Sequence, residues 1–292
     1  MFQVASHPTS FPPHGYRDSG RRGSSHATPT SPAVQLPRTL SRPEFVEVSQ
    51  RAITAASPEL ANVPPEYIRR GLQRQANELL AGLNSLAPSH VPSSLPRSHL
   101  PAFLTVPLRV SSSSTTPSYP THALAVSSSK NPDAQAVIVP VHSIVLAAYC
   151  AKFPELRTTP THPHSPTVQL PIIPFTLPSP GAFPILSNYM YQHRLDKVLK
   201  ALFPVPHGFM THLTHQNVRE LFNSRTTLHQ LSSYLCEHDD YSLQRLTAHA
   251  MHVRDVWQDM VALGLHDPEL WDTIDLAWEV ILGALNLAAS SR

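Results

Sequence analysis

The chain has 292 residues, a formal net charge of +2 and only 14% charged residues, a length that accommodates one large or two small domains. Thirty-one prolines against nine glycines indicate a chain whose regular structure is often interrupted. The sequence contains no apolar run of about 18 residues, so no membrane span is predicted, and it lacks the charged and apolar pattern of a secretory leader.

Residues 1–42 are rich in Ser, Pro, Thr, His and Arg and contain few aliphatic side chains. Such a segment cannot bury enough apolar surface to offset its loss of conformational entropy, so we predict that residues 1–42 are disordered. Arg17, Arg21 and Arg22 form either a fragment of a nuclear import signal or a solvated basic tail.

Residues 43–86 are predicted to form N-terminal helices. Pro64 and Pro65 begin the clearer of them, with Glu66 near the positive end of the helix dipole. Apolar residues then follow at helical spacing, namely Ile68, Leu72, Ala76, Leu79, Leu80 and Leu83. We expect this amphipathic helix either to dock on the rest of the chain or to bind a partner, with Leu72 and Leu79 as contact residues.

Residues 87–100 are predicted to be a Pro/Ser linker, and residues 101–205 a small domain that combines a sheet with helices. Apolar, β-branched runs predict strands at residues 103–110, 122–126, 134–141 and 168–170. Helical spacing and flanking prolines predict helices at residues 142–150, 181–193 and 196–203.

The centre of this domain resembles the BTB/POZ interaction domain. The matching pieces are His142 after a strand, the sequence VLAA at residues 145–148, the short strand at 168–170, and the aromatic pair Tyr189 and Tyr191 at the end of a helix. The resemblance implies an α+β fold in which a small BTB/POZ-like domain of a sheet and helices precedes a C-terminal helical region. Because BTB domains often dimerise, it also implies a homodimer.

Residues 206–292 form the region with the most regular helical pattern. Helices are predicted at residues 217–222 and 226–237, and an apolar seam then runs from Leu243 to Met260. Gly264 is placed to end that helix, and Asp267 with Pro268 to begin another. Two helices joined by so short a turn should form an antiparallel hairpin.

Charge is distributed unevenly along the chain. Residues 237–292 contain 3 basic and 10 acidic residues, whereas residues 1–236 contain 19 basic and 10 acidic residues. A basic body and an acidic helical end could pair within the chain or meet partners of opposite charge. The positive charge is spread thinly, so direct nucleic-acid binding is not favoured.

Two C-terminal stretches, residues 251–260 and 267–287, resemble the clampless proteins of basidiomycete fungi, which regulate sexual development and clamp-cell formation. The resemblance implies a non-enzymatic regulator of clamp connections and dikaryotic growth. It would act by protein–protein contact in the nucleus, or alternatively in the cytoplasm, with homeodomain or other mating-pathway transcription factors as partners. Trp257, Trp271 and Trp278 are interpreted as packing residues, with Trp271 as the alternative candidate for a partner anchor.

The sequence predicts no catalytic, cofactor-binding or metal-binding residues. Eighteen histidines include the pairs His162/His164, His212/His215 and His249/His252, but Cys236 and His238 are the only Cys/His pair and lack a second pair at zinc-finger spacing. Cys150 and His142 lie two helical turns apart, too far for proton transfer. A direct DNA-binding regulator and a hydrolase with an unrecognised site remain alternatives.

Overall fold

The computed structural model of the chain describes residues 36–109, 116–131, 135–157, 165–209 and 213–291. Within these ranges the chain forms ten α-helices and five strands. The helices are α1 (Gln50–Ala56), α2 (Pro65–Arg74), α3 (Ala76–Asn84), α4 (Ser143–Tyr149), α5 (Phe183–Gln192), α6 (Leu195–Leu202), α7 (His215–Asn223), α8 (Arg225–His238), α9 (Leu243–Leu263) and α10 (Pro268–Ser290). The strands are β1 (Ser94–Leu95), β2 (Phe103–Pro107), β3 (His122–Ser128), β4 (Ala136–Val141) and β5 (Thr167–Leu177).

The five strands form one curled, mixed sheet in the order β1-β4-β3-β5-β2. Strand β4 lies antiparallel between β1 and β3, whereas β3 and β5 run parallel. The predicted α+β class and the C-terminal helical region are confirmed. The BTB/POZ-like character of the sheet remains a prediction.

Strand β5 is much longer than the three residues predicted for it. Its first half, residues 167–171, pairs with β2, and its second half, residues 172–177, pairs with β3. Pro171 and Pro174, which have no N–H group to donate to a neighbouring strand, both lie within it. Because β2 ends its pairing at residue 171, one edge of β5 is left without that partner where Pro174 occurs, and an open edge tolerates proline.

The sheet is buried on both faces. Leu124 and Val126 of β3 face the helices and belong to the main core, whereas Ala123 and Ala125 face a smaller apolar cluster. That smaller cluster also contains Leu86, Val106, Ala136, Ile138, Val168, Leu170 and Ile172. Residues 87–100, predicted as a linker, contribute strand β1 and two short 3₁₀ turns to this side.

One hydrophobic core joins the N-terminal helices, the sheet and the C-terminal helices. It extends along the sequence from Leu40 to Ala288. Helices α1 and α2 pack on α4, and α10 packs on α6, α7, α8 and α9. The three segments proposed as separate units, residues 43–86, 101–205 and 206–292, therefore share buried contacts.

Helix α10 lies at the centre of the C-terminal helices. Twelve of its 23 residues are buried, including Trp271 and Trp278. Among the described residues it is the one helix long and apolar enough to cross a membrane by length and composition, a test that the core helix of a soluble protein also passes. In this fold its apolar surface is covered by α8 and α9.

The ends of α9 and α10 follow the predicted capping chemistry. Gly264 adopts a left-handed conformation (φ 65°, ψ 41°) at the end of α9, as a helix-ending glycine does. The Asp267 carboxylate accepts hydrogen bonds from the backbone N–H groups of Glu269 and Leu270, and Pro268 occupies the first turn of α10. The predicted short turn between these two helices is confirmed.

Candidate interaction surface

The three side chains predicted to contact a partner are all buried in the chain itself. Trp271 is 3% exposed, Leu72 7% and Leu79 4%. The indole N–H of Trp271 donates to the carbonyl of Leu265 at 2.9 Å. In this conformation these residues stabilise the fold, and a partner cannot reach them.

The surface of the tryptophan hairpin, formed by α9 and α10, is crossed by residues 36–42, which we call the N-terminal strap. The strap forms neither helix nor strand, and it bends at Arg38 and Thr39. The indole N–H of Trp278 donates to the carbonyl of Pro37 at 3.2 Å, and that of Trp257 donates to the carbonyl of Ser41 at 3.0 Å. Leu40 is only 5% exposed and belongs to the main core. This part of the segment predicted to be disordered is therefore packed, while residues 1–35, including Arg17, Arg21 and Arg22, lie outside the described residues.

Arg42 fastens the end of the strap to α10. Its Nε donates to Asp275 at 2.9 Å, and its Nη2 donates to Asp272 at 2.6 Å and also to Asp275. His215 Nε2 lies 2.7 Å from the other oxygen of Asp272. The guanidinium thus bridges two carboxylates one helical turn apart, a charge-assisted arrangement.

The two carboxylates of this clamp respond differently to their surroundings. Burial disfavours ionisation of Asp272, but hydrogen bonds from His215 and Arg42 outweigh it, so the pKa of Asp272 is lowered. Burial raises the pKa of Asp275, and the hydrogen bond from Arg42 offsets this only in part. The acid pair is therefore suited to a cation, because removal of Arg42 would leave two like charges close together.

Exposed apolar side chains follow directly after the strap. Phe45 is 67% exposed and Val46 50% exposed. The ring of Phe45 contacts the edge of the His266 ring in the turn between α9 and α10, with ring centroids 5.6 Å apart. Farther along, Glu47 pairs with Arg69 of α2 at 3.3 Å. Two adjacent large apolar side chains on the surface are the kind of feature that marks a contact site.

A polar depression of about 590 Å³ lies between the end of β3, the loop before α5 and one face of α9. Ser179 connects its walls, since its backbone N–H donates to Asp259 at 2.9 Å and its hydroxyl to Asp255 at 2.7 Å. Lys130 Nζ lies 3.6 Å from Asp255. Asp259 is fully buried, and its Oδ2 has no hydrogen-bond partner among the described residues. Burial raises the pKa of Asp259 to about 7.

His142 and Cys150, which were weighed as a catalytic pair, have structural roles in the fold. His142 Nδ1 lies 2.9 Å from the Tyr191 hydroxyl and its Nε2 lies 2.9 Å from the Ser118 carbonyl. Burial lowers the pKa of His142 to about 4 and raises that of Cys150 to about 12. A thiol with so high a pKa is a poor nucleophile.

The histidine pairs do not converge on a metal site within the described ranges. No group of three or more His, Cys, Asp or Glu side chains is arranged there to hold an ion. His249 contacts the Leu202 carbonyl and Asp239, and His252 lines the polar depression. His162, His164 and His212 lie outside the described residues.

Sequence reasoning did not identify the strap as part of a site. Its composition is that of a disordered tail, and only Leu36, Leu40 and Arg42 could have indicated otherwise. The role of Arg42 depends on Asp272 and Asp275, which lie 230 residues or more away in the chain, and Leu40 joins a core that extends to Ala288. No local pattern contains that information.

Comparison with known proteins gives two matches to family models. Residues 43–178 match the model described as Clampless protein 1 N-terminal domain, and residues 196–292 match Clampless protein 1 C-terminal domain. Together the two matches cover most of the chain and leave the strap outside both. No curated protein and no solved structure matches the chain.

Proposed function

The chain belongs to the clampless protein family, and we propose that it regulates fungal sexual development by binding other proteins rather than by catalysis. Membership in the family fits a role in clamp-cell formation. The proposed partners are homeodomain or other transcription factors of the mating pathway. The protein would bind them in the nucleus. A homodimer is a further part of the proposal.

The observation that carries the proposal is the pair of family matches, which span both the sheet and the C-terminal helices. The exposed pair Phe45 and Val46 supports binding as the mode of action. Both side chains could bury substantial apolar area against a partner, and aromatic residues are frequent anchors of such contacts. They also adjoin the ion pairs of Arg42, which can contribute charge complementarity.

The test uses the full chain with Phe45→Ser and Val46→Ser together. We expect loss of binding to purified mating-pathway homeodomain proteins, and failure to restore clamp cells in a strain that lacks the gene. Stability should change by less than about 1 kcal/mol, because both side chains are largely exposed. The measurements are a pull-down with purified proteins and a count of clamp connections.

The matched control replaces two other exposed aromatic residues, Phe222 and Tyr241, by serine. They are 41% and 45% exposed, so this variant alters surface hydrophobicity to a similar degree elsewhere. It should keep both binding and clamp formation. Equal loss in both variants would remove the Phe45 and Val46 surface from the proposal, and normal clamp formation in a strain without the gene would contradict the function itself. Salt-dependent binding of the purified chain to duplex DNA would favour direct DNA binding instead.

A further inference from the structure

The contacts of the strap are those of a bound peptide rather than of a structural element. Among the described residues, no backbone-to-backbone hydrogen bond links residues 36–48 to the rest of the chain. The strap is held by two indole N–H groups, the burial of Leu40 and the Arg42 clamp. An indole that donates to a backbone carbonyl recognises any segment with a free carbonyl, because every residue supplies that group.

The side-chain contacts add a simple specificity. The strap supplies an aliphatic side chain, Leu40, that is buried in the main core, and two residues later a guanidinium beside Asp272 and Asp275 of α10. Arginine suits this pair better than lysine, because its planar donors reach both carboxylates at once. The carbonyls bound by Trp278 and Trp257 belong to residues four apart, Pro37 and Ser41, which lie on either side of the bend at Arg38 and Thr39.

We propose that the strap is a displaceable internal ligand, and that the same surface of α9 and α10 binds a segment of a partner protein that has no helix or strand and carries an aliphatic residue two positions before an arginine. The inference rests on the proposed function, whose partner would supply that segment. A strap in the same chain competes at high effective concentration, so the surface opens to a partner that also engages a second site. Phe45 and Val46, which adjoin the strap, are placed to be that second site.

The first test measures the unaltered chain. Hydrogen exchange of the three indole N–H groups is followed by NMR, with Trp271 as the internal reference because its indole donates to Leu265 inside the hairpin. Displacement of the strap exposes Trp257 and Trp278 without unfolding the protein. We therefore expect their indoles to exchange at least about tenfold faster than that of Trp271. Exchange of all three at the rate of global unfolding would overturn the inference.

The second test measures binding of a fluorescent peptide of residues 34–45 to the full chain. Leu40→Ser with Arg42→Ala weakens the internal strap and leaves the surface intact, so the peptide should bind this variant at least about tenfold more tightly than it binds the unaltered chain. Arg38→Ala, which removes the same charge from an exposed position on the strap, should leave the affinity unchanged. Equal affinity for all three chains would contradict the proposal.

The third test places Asp272→Asn and Asp275→Asn in the strap-weakened chain. Peptide affinity should fall at least about tenfold, because the guanidinium loses both charged acceptors. Glu237→Gln, an exposed acid on α8, is the control and should have no effect. Circular dichroism checks folding for every variant, and the exchange experiment decides the question if a variant does not fold.

These outcomes separate the inference from the proposed function. A strap that never opens in a protein that restores clamp cells overturns the inference and leaves the function standing. A strap that opens in a protein whose loss does not affect clamp formation overturns the function. A dimer that sedimentation finds for the unaltered chain but not for the Leu40→Ser, Arg42→Ala variant identifies a second copy as the occupant, and overturns the assignment to a partner segment.

Discussion

Some ionisable side chains of this chain are buried, and their ionised form costs free energy in the folded state. Asp259 is the clearest case. Its carboxylate is fully buried on α9, with one oxygen bonded to the Ser179 N–H and the other without a partner among the described residues. Asp255 adds repulsion and Lys130 a smaller attraction. An isolated buried charge of this kind disfavours the folded state whenever the group is ionised.

We predict that Asp259 makes the protein less stable as pH rises from about 4 to about 7. Its pKa is about 7 in the folded chain and 3.8 ordinarily, so within that window the folded state holds a proton that the unfolded state has released. The contribution of Asp259 to the free energy of unfolding therefore falls as pH rises across the window. Above pH 7 this contribution no longer changes with pH. Asp259→Asn should remove this contribution to the pH dependence and stabilise the protein at pH 8 by roughly 2 to 4 kcal/mol.

The measurement is urea unfolding at pH 5 and at pH 8. Glu237→Gln removes a carboxylate from an exposed position and should leave the pH dependence as it is in the unaltered chain. An Asp259→Asn variant that keeps the original difference between the two pH values would show that the carboxyl group is not the source.

At the scale of elements, two glycines in neighbouring helices have opposite surroundings. A Cβ on Gly82 of α3 would lie 1.5 Å from the carbonyl oxygen of Ser118, which belongs to the backbone before β3. A Cβ on Gly71 of α2 would meet nothing within 4 Å. Close approach of two backbones requires glycine at position 82, whereas nothing in the packing requires glycine at position 71.

The two alanine substitutions should therefore shift stability in opposite directions. Gly82→Ala forces α3 away from the chain around Ser118 and should destabilise the protein by about 1 to 3 kcal/mol or more. Gly71→Ala should stabilise it by roughly 0.5 to 1 kcal/mol, because alanine is the better helix former. Thermal unfolding of both variants tests the pair, and stabilisation by Gly82→Ala would contradict the packing of α3.

The ends of the helices and strands show which sequence patterns predict a boundary correctly. The ends of α9 and α10 follow from Gly264, Asp267 and Pro268, whose roles are local. The single helix predicted after Pro65 is instead broken at Gln75 into α2 and α3, although its apolar spacing continues. Strand β5 passes through Pro171 and Pro174, because its pairing changes from β2 to β3 there. Capping is a local interaction, whereas strand length depends on distant neighbours.

At the scale of the whole molecule, the common core predicts cooperative unfolding. All three tryptophans lie in α9 and α10, so fluorescence reports only the C-terminal helices, whereas far-ultraviolet circular dichroism reports every helix and the sheet. Because α1 and α2 pack on α4, and the core continues from there to α10, we expect the two signals to change at the same urea concentration.

Two independent domains would give a different result. Fluorescence and circular dichroism would then have separate midpoints, and the division at residue 205 would describe real folding units. A matched check uses Trp278→Phe, which lowers the fluorescence contribution of α10 and removes the indole contact with Pro37 while retaining an aromatic ring. Its two signals should still coincide.

The sequence by itself determined the α+β class, the helices of the C-terminal region, the end of α9 and the start of α10, strands β3 and β4, and the family. All of these depend on periodicity, on capping residues or on motifs within a few residues of one another. Only the tertiary structure decided that residues 36–42 are packed, that Trp271, Leu72 and Leu79 are buried, and that α10 is central. The physical reason is that an amphipathic face has the same sequence pattern whether its own chain or a partner covers it, and the pairing of Arg42 with Asp272 and Asp275 exists only once the chain has folded.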